Sequence, residues 1–116
     1  VLRYGLDYPG LVGVENNSVT SIPDNFELSQ NYPNPFNPVT NIKYAVANSS
    51  EVSLTIYDIL GNEVRTLVSN EMKNAGTYNI EWNGKNNSGL DVSSGVYFYK
   101  LIAGEFSKTL KITMLK

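Results

Sequence analysis

The side chains of this 116-residue chain that could perform chemistry are its carboxylates, because the sequence contains neither histidine nor cysteine. Without those residues the chain cannot form a zinc finger, a nucleophilic centre that depends on histidine, or an imidazole switch near neutral pH. Glycoside cleavage would need two carboxylates that face each other across a cleft. The candidate acids fall instead on predicted turns and outer strand positions: Asp58, Glu63, Glu71, Glu81 and Asp91. The sequence therefore predicts a protein without catalytic activity and without a cofactor.

A polar loop at Asn83–Ser94 is the segment with the best case for a metal site, since hard cations such as calcium bind clustered oxygens. Only Asp91 supplies a carboxylate there. Turn formation accounts for the asparagine and glycine content of the loop without an ion. We therefore predict a turn with no metal.

Aromatic rings form a second set that could bind a ligand, since flat rings can stack on the faces of sugars. Alternation within the predicted strands places most of these rings on inward positions, which favours core packing. The set comprises Tyr57, Tyr78, Trp82, Tyr97 and Tyr99. An accessory adhesion or carbohydrate-binding module is therefore kept as the alternative function.

Charge is sparse and nearly balanced, with a net charge of -2 and 17% charged residues. Such a surface offers no positive stripe for nucleic acid or for an anionic membrane. No apolar run approaches the roughly 20 residues that cross a bilayer as a helix. We predict no nucleic-acid partner and no membrane span. Because the chain starts at Val1 rather than at methionine, we expect a fragment or a processed product.

Short β-strands are the elements that must position these side chains. Fifteen asparagines and nine glycines supply turns, while tyrosine, valine, isoleucine and threonine suit a half-buried pleated surface. Period-two alternation recurs along the chain and predicts an all-β, antiparallel sandwich of about seven strands, with Trp82 as the largest core side chain. Residues 22–116 are predicted to form this domain. Residues 1–21 are predicted to be a linker or the end of a preceding domain.

Three segments interrupt the alternation. Asn31–Pro38, which we call the Asn-Pro motif, is predicted to be an extended, rigid corner because its prolines cannot pair within a central strand. The apolar residues of 63–68 break strict alternation, which predicts a bulge near Thr66. Asn70–Gly76 is predicted to be a loop that accommodates one helical turn at Glu71–Lys73.

The last two predicted strands, 95–103 and 106–114, form a hairpin with a tight turn at Gly104. Alternation places Val96 and Phe98 on the outer face of this hairpin. An outward apolar pair and an edge strand would offer a partner both side chains and unpaired backbone. Burial beneath the linker would equally account for the two apolar side chains.

The order of several motifs resembles that of a known family. These landmarks are Asn31–Thr40, Ile56-Tyr57-Asp58, Gly61, Val64, Leu67, Gly76, Trp82-Asn83-Gly84, Gly95-Val96-Tyr97-Phe98-Tyr99, Gly104 and Lys111–Lys116. Over residues 22–116 they resemble the type A C-terminal sorting domain of the type IX (Por) secretion system. A looser resemblance is to the immunoglobulin-like domain of flagellar hook-capping proteins, which shares the Trp-x-Gly turn and the Gly-Val-Tyr strand but not the Asn-Pro motif. The resemblance implies an immunoglobulin-like sandwich.

The sorting-domain resemblance implies a non-catalytic secretion signal. Domains of this family follow a cargo protein that is exported to the periplasm of Bacteroidetes and related bacteria. They are recognised by the type IX translocon and its shuttle proteins, and a sorting peptidase commonly removes them. The implied destination is the cell surface or the medium, reached through the periplasm and the outer membrane. A cargo domain N-terminal to this chain and a cleavage site around residues 15–24 are expected.

The resemblance also implies roles for particular residues. Candidate positions for translocon recognition are Gly95, Val96, Tyr97, Phe98, Gly104, Lys111, Ile112 and Lys116. A structural role is implied for Asn34, Pro35, Phe36, Asn37 and Pro38. The family's usual Trp-Asp-Gly-x-Asp is here Trp82-Asn83-Gly84-Lys85-Asn86, which argues against an ion-binding role for that loop. The outward apolar pair also leaves open a third interpretation, a structural spacer or filament subunit.

Overall fold

The computed structural model describes residues 23–115, and these residues form seven β-strands and no helix. The strands are β1 (Glu27–Leu28), β2 (Thr40–Val46), β3 (Ser50–Tyr57), β4 (Glu63–Lys73), β5 (Gly76–Trp82), β6 (Gly95–Ala103) and β7 (Phe106–Met114). They form two antiparallel sheets with the strand orders β1-β2-β5 and β4-β3-β6-β7. The predicted all-β, immunoglobulin-like sandwich of about seven strands is confirmed. The predicted linker at residues 1–21 and the candidate residue Lys116 lie outside the described residues.

Inward-facing side chains from both sheets form one core. In β2 the alternating residues Ile42, Tyr44 and Val46 are all buried, as their spacing predicts. Trp82, at the end of β5, is 0% exposed and is the largest fully buried side chain. Burial of one large apolar side chain contributes about 1.5–3 kcal/mol. The two sheets are therefore held together by this shared apolar layer.

One part of β4 differs from the sequence-based prediction. The local sequence predicts a loop at residues 70–73 with a helical turn at Glu71–Lys73, but these residues belong to β4, and residues 71–73 pair with residues 50–52 of β3. The pairing passes from Val52–Glu71 to Leu54–Val68, so β4 contains one extra residue at this point. Asn70 adopts a φ of 47° there, and asparagine tolerates that region better than most residues. A bulge thus lets the strand continue where the local sequence indicates a turn.

The bulge predicted near Thr66 is present in the same strand. Leu54 pairs with Val68, whereas the next residue of β3, Thr55, pairs with Thr66. Leu67 is therefore the additional residue. It accounts for the interruption of the apolar alternation that the sequence displays.

The sandwich has two ends with different contents. Gly95 pairs with Met114, so the start of β6 and the end of β7 lie together. Phe36 of the Asn-Pro motif forms a bridge with Met114, and its ring lies 5.4 Å from the ring of Trp82. We call this the motif end. The opposite end, which we call the hairpin end, carries the turns between β2 and β3, between β4 and β5, and between β6 and β7.

Candidate functional site

The Asn-Pro motif pairs with the last residues of the described chain. The N–H of Phe36 donates to the carbonyl of Thr113, and the N–H of Leu115 donates to the carbonyl of Phe36, both at 3.0 Å. The N–H of Thr113 donates to Asn34 Oδ1 at 3.0 Å. The peptide bonds before Pro33, Pro35 and Pro38 are cis. The motif therefore covers one end of the edge strand β7, a position that its prolines permit.

Phe36 also contributes to an aromatic cluster that closes the core at the motif end. Its side chain is 1% exposed and packs against Trp82. Trp82 contacts Tyr97 edge to face, with ring centroids 5.7 Å apart, and donates from Nε1 to the carbonyl of Lys85 at 2.9 Å. Such aromatic pairs contribute about 0.5–1.5 kcal/mol beyond their burial. The cluster joins the Asn-Pro motif, the end of β5 and the start of β6.

Gly84 allows the polar loop to approach this cluster closely. Its φ is +73°, and a Cβ added there would lie 2.7 Å from Met114 Cε and 3.5 Å from the carbonyl oxygen of Pro38. A larger residue would therefore meet both β7 and the Asn-Pro motif. The Trp82-Asn83-Gly84 landmark and the terminal strand, which are far apart in the sequence, thus meet at the motif end.

A buried polar network fixes the chain just before the motif. The N–H of Asn31 donates to the Tyr99 hydroxyl at 2.8 Å, and that hydroxyl donates to the carbonyl of Ser29 at 2.7 Å. Asn31 Nδ2 donates to Thr40 Oγ1 at 2.9 Å, and Thr40 Oγ1 donates to the carbonyl of Pro33 at 2.9 Å. Burial raises the pKa of Tyr99 to about 12, although its bond from Asn31 acts in the opposite direction. The sequence analysis missed this network because its members are up to 70 residues apart.

The polar loop after β5 stabilises itself and covers part of β4. Asn86 Oδ1 accepts from the N–H groups of Ser88 and Leu90 at 2.9 and 3.0 Å. The N–H of Asn87 donates to the carbonyl of Val64 at 2.9 Å. Lys85 Nζ lies 2.8 Å from Asp91 Oδ1, so a lysine binds the carboxylate of the loop. Within residues 23–115, no three acidic, histidine or cysteine side chains are grouped as metal ligands.

The predicted recognition residues of the hairpin fall into three groups. Tyr97 and Ile112 are buried in the core, whereas Val96 is 37% exposed and Phe98 is half-buried on the outer face of the sheet. Lys111 is exposed and pairs with Phe98. The remaining two positions, Gly95 and Gly104, lie at opposite ends of the hairpin.

The structure brings the start of the hairpin together with the Asn-Pro motif. Asn34 and Phe36 both bond to β7 opposite the first residues of β6, while Pro35, Asn37 and Pro38 are exposed around them. Gly104 is not part of this arrangement. It lies in the turn at the hairpin end, where its φ of +61° suits a tight connection.

The outer edge of β7 is covered at one end only. Both backbone groups of Thr113 point away from β6, because they bond to Asn34 and Phe36. Outward and inward backbone groups alternate along an antiparallel strand, so those of Lys111, Thr109 and Ser107 also point outward. Gln30 Nε2 donates to the carbonyl of Lys111 at 2.8 Å. No other described residue bonds to the outward backbone of Ser107–Lys111.

The alternative ligand-binding sets do not assemble into a site. Trp82, Tyr97 and Tyr99 are buried, and Tyr78 stacks on Tyr44 with ring centroids 5.3 Å apart, so these rings form no exposed platform with Tyr57. The described part of the chain contains no cleft of ligand size. Over residues 23–115 there is no helix long and apolar enough to cross a membrane.

Two of the candidate carboxylates, Asp58 and Glu63, are used in a turn and in surface contacts. Asp58 Oδ1 accepts from the N–H groups of Leu60 and Asn62, both at 2.9 Å. The bond from the Asn62 N–H is the largest of the contributions that lower the pKa of Asp58. Glu63 Oε2 accepts from Thr66 Oγ1 and Asn87 Nδ2 at 2.8 and 3.0 Å.

Comparisons with known proteins agree with this architecture. The solved structures that resemble the chain include dimeric latent PorU from Porphyromonas gingivalis, with a TM-score of 0.63 and 16% identity, and FlgD from P. aeruginosa, with a TM-score of 0.51 and 24% identity. The matches cover 88% and 65% of this chain but only 10% and 57% of those chains. At these identities the likeness concerns the fold alone. No curated protein sequence matches the chain.

The family match is more direct, and it covers the centre of the sandwich. Residues 38–105 match the FlgD Ig-like domain family, a segment that starts at the last proline of the Asn-Pro motif and ends in the turn before β7. It includes Trp82, the polar loop and the whole of β6, and it spans more than half of the sequence. The chain belongs to the FlgD Ig-like domain family.

Proposed function

We propose that this chain is a non-catalytic C-terminal sorting domain that directs a cargo protein across the outer membrane through the type IX secretion system. In this proposal a rigid sandwich presents its terminal hairpin to the translocon and its shuttle proteins, and a sorting peptidase later removes the domain. The cargo reaches the cell surface or the medium. Recognition would depend on shape, backbone and exposed side chains, so it would need no cofactor.

The observation that best supports this proposal is the contact between the Asn-Pro motif and β7. Most of the motif and all of β7 lie outside the residues 38–105 that match the FlgD Ig-like domain family. These two segments bond to each other through Phe36, Asn34 and Thr113. The Asn-Pro motif, which distinguishes the sorting-domain resemblance from the looser one, therefore lies against the terminal hairpin.

Two further observations support recognition rather than catalysis. The outer face of the hairpin leaves Val96 and Ile102 37% and 40% exposed, next to the half-buried Phe98. Isolated exposed apolar residues are ordinary on a protein surface. The strand β7, which pairs with β6, also has unpaired backbone at its outer edge. Exposed apolar side chains beside unpaired backbone suit the binding of an extended segment.

A fusion experiment tests the proposed function. The 116-residue chain is placed at the C-terminus of a secreted reporter behind a Sec signal, in a host with an intact type IX system. We expect the reporter on the cell surface or in the medium, and we expect it in the periplasm of a matched host that lacks the translocon. A folded reporter that stays in the periplasm of both hosts would refute the proposal.

The family match favours one alternative, a structural module in a protein assembly. Its support is the match of residues 38–105 to the FlgD Ig-like domain family and the exposed apolar residues on β6. Sedimentation of the purified chain over a wide concentration range tests this alternative. Ordered association that is lost on changing Val96 to Ser would favour the assembly module, whereas a monomer at every concentration would count against it.

A further inference from the structure

The outer edge of β7 has a short stretch that can accept another strand. We call the residues Ser107–Lys111 the open edge, because their outward backbone groups have only the one side-chain bond from Gln30 among the described residues. At about 3.4 Å per residue the open edge is about 14 Å long. The contact of Phe36 and Asn34 with Thr113 limits it on one side, and the turn at Gly104 limits it on the other.

The hairpin that carries the open edge is the basic part of an acidic molecule. Residues 95–115 carry three lysines and one glutamate, a net charge of +2, whereas residues 23–94 carry four basic and eight acidic side chains, a net charge of -4. Lys100 and Lys111 are diagonal neighbours on the outer face, since Lys100 pairs with Thr109. Lys108 lies on the other face of β7 and is exposed. None of these lysines forms an ion pair with another described residue.

We propose that the open edge binds an extended acidic segment of a partner protein, which adds to the four-stranded sheet as a further strand beside β7. The backbone of Ser107 and Thr109 supplies the hydrogen bonds, and the three lysines select negatively charged side chains on both faces of the added strand. The proposal deepens the proposed function, on which its biological meaning rests, because it names the chemistry of the recognised partner.

A second copy of the same chain is the competing occupant of this edge. Pairing of two β7 strands would bring three lysines from each copy close together, and like charges across a strand pair are destabilising. Lysine on an edge strand is also a common means of preventing self-association. Charge therefore disfavours a copy of this chain and favours an acidic strand.

Changing Thr109 to proline tests the backbone contribution. Proline removes an N–H that points away from β6, so the β6–β7 pairing stays intact, and edge strands tolerate proline at such positions. Thr109→Val is the matched control, because it keeps the N–H. In the reporter assay we expect Thr109→Pro to lower delivery about tenfold, as the loss of a partner hydrogen bond implies, and Thr109→Val to have little effect. Amide spectra of both variants check the fold.

A pair of charge reversals tests the lysines without a backbone change. Lys108 lies at the open edge, whereas Lys43 is an exposed lysine on β2 of the other sheet. Both substitutions to glutamate change the net charge equally. We expect Lys108→Glu to lower delivery about three- to tenfold and Lys43→Glu to leave it within about twofold. Equal delivery by the two variants would overturn the proposal.

Direct binding separates this proposal from the proposed function. The probe is a synthetic peptide in which pairs of glutamates alternate with pairs of threonines, so that both faces of the added strand carry glutamate. A peptide of the same pattern with lysine in place of glutamate is its control. Titrated into the isotope-labelled 116-residue chain, the acidic peptide should shift the amide signals of Ser107, Thr109 and Lys111, and the basic peptide should not. Thr109→Pro should abolish the shifts.

Each combination of results has one meaning. A delivered wild-type reporter with an undiminished, folded Thr109→Pro variant would refute the open-edge proposal but keep the sorting function. A wild-type reporter that is not delivered, together with specific binding of the acidic peptide, would refute the sorting function but keep the open-edge proposal. Shifts caused equally by both peptides, or concentration-dependent dimers in place of peptide binding, would also overturn the acidic partner.

Discussion

The motif end and the hairpin end of the sandwich are held by different kinds of contact. At the motif end, segments far apart in the sequence meet through the packed rings of Phe36, Trp82 and Tyr97 and through bonds from the Asn-Pro motif to β7. At the hairpin end, short turns join strands that follow one another in the chain, and two aromatic pairs stack there: the half-buried Phe26 and Phe106 at 5.7 Å, and Tyr44 and Tyr78 at 5.3 Å. Contacts between distant segments constrain several strands at once, whereas a short turn constrains only the two strands that it joins. The motif end should therefore dominate stability.

The largest expected difference between the ends concerns one phenylalanine from each. Phe36 is 1% exposed, so Phe36→Ala should lower the free energy of unfolding by about 3–5 kcal/mol. Phe106 is half-buried, so Phe106→Ala should cost about 1–2 kcal/mol. Urea denaturation of the two variants measures both values. Equal losses would contradict the claim that the motif end dominates.

Two tyrosine hydroxyl groups, one buried and one in an exposed turn, should contribute differently to stability. Tyr99→Phe leaves the carbonyl of Ser29 and the N–H of the buried Asn31 without their partner, which should cost about 1–3 kcal/mol. Tyr78 donates to the carbonyl of Asn74 at 2.6 Å in an exposed turn, where water can replace the bond. Tyr78→Phe should therefore cost less than about 0.5 kcal/mol. Thermal unfolding of both variants measures the two losses of stability. A larger loss for Tyr78→Phe would contradict the claim that the buried hydroxyl of Tyr99 matters more.

Two glycines with similar backbone angles test close packing at the two ends. Gly84 and Gly104 have φ values of +73° and +61°, so alanine at either position should cost about 1 kcal/mol of backbone strain. Gly84→Ala must also displace Met114, whose Cε lies 2.7 Å from the new Cβ, while the nearest atom to Gly104 is 3.6 Å away. We expect Gly84→Ala to lose about 1 kcal/mol more. Identical denaturation midpoints would show that Met114 moves without cost.

The smallest expected effect concerns the charge of Asp58, in the turn at the motif end. The pKa of the Asp58 carboxyl is lower in the folded chain than its usual value, mainly because of the bond from the Asn62 N–H. The ionised carboxylate therefore stabilises the fold above about pH 4, and that contribution disappears as the pH falls through the folded-state pKa. Asp58→Asn should lower the denaturation midpoint slightly at pH 7 and not at pH 2. Glu105→Gln in the turn at the hairpin end is the control, and a loss that persists at pH 2 would exclude the charge as its cause.

Strand positions follow from local sequence wherever a strand alternates and is buried on one face. Ile42, Tyr44 and Val46 display that pattern, and Trp82 is the core residue that its size predicts. The end of β4 does not follow from local sequence. Residues 70–73 have a turn-like composition, and they become a strand because β3 pairs with them across a bulge at Asn70. A pairing partner can override weak local preference, since β-propensity depends on context.

The candidate recognition surface was predictable in part. The alternation of β6 correctly places Val96 and Phe98 on the outer face of the sheet. The extent of the open edge was not predictable, because it depends on which backbone groups of β7 the Asn-Pro motif and Gln30 occupy. Tyr99 likewise carries no sequence signal for its bonds to Ser29 and Asn31, since these cross from one sheet to the other.

The class of the fold and the absence of histidine and cysteine chemistry follow from the sequence alone. These features depend on residue type and short-range periodicity, which act within a few residues of the chain. The contact of Phe36 with Trp82, the bond of Asn34 to Thr113, and the position of three lysines beside the open edge depend on the tertiary structure. Those relations depend on how the two sheets pack, because contacts between segments that lie far apart in the chain form only when burial of the shared core brings them together.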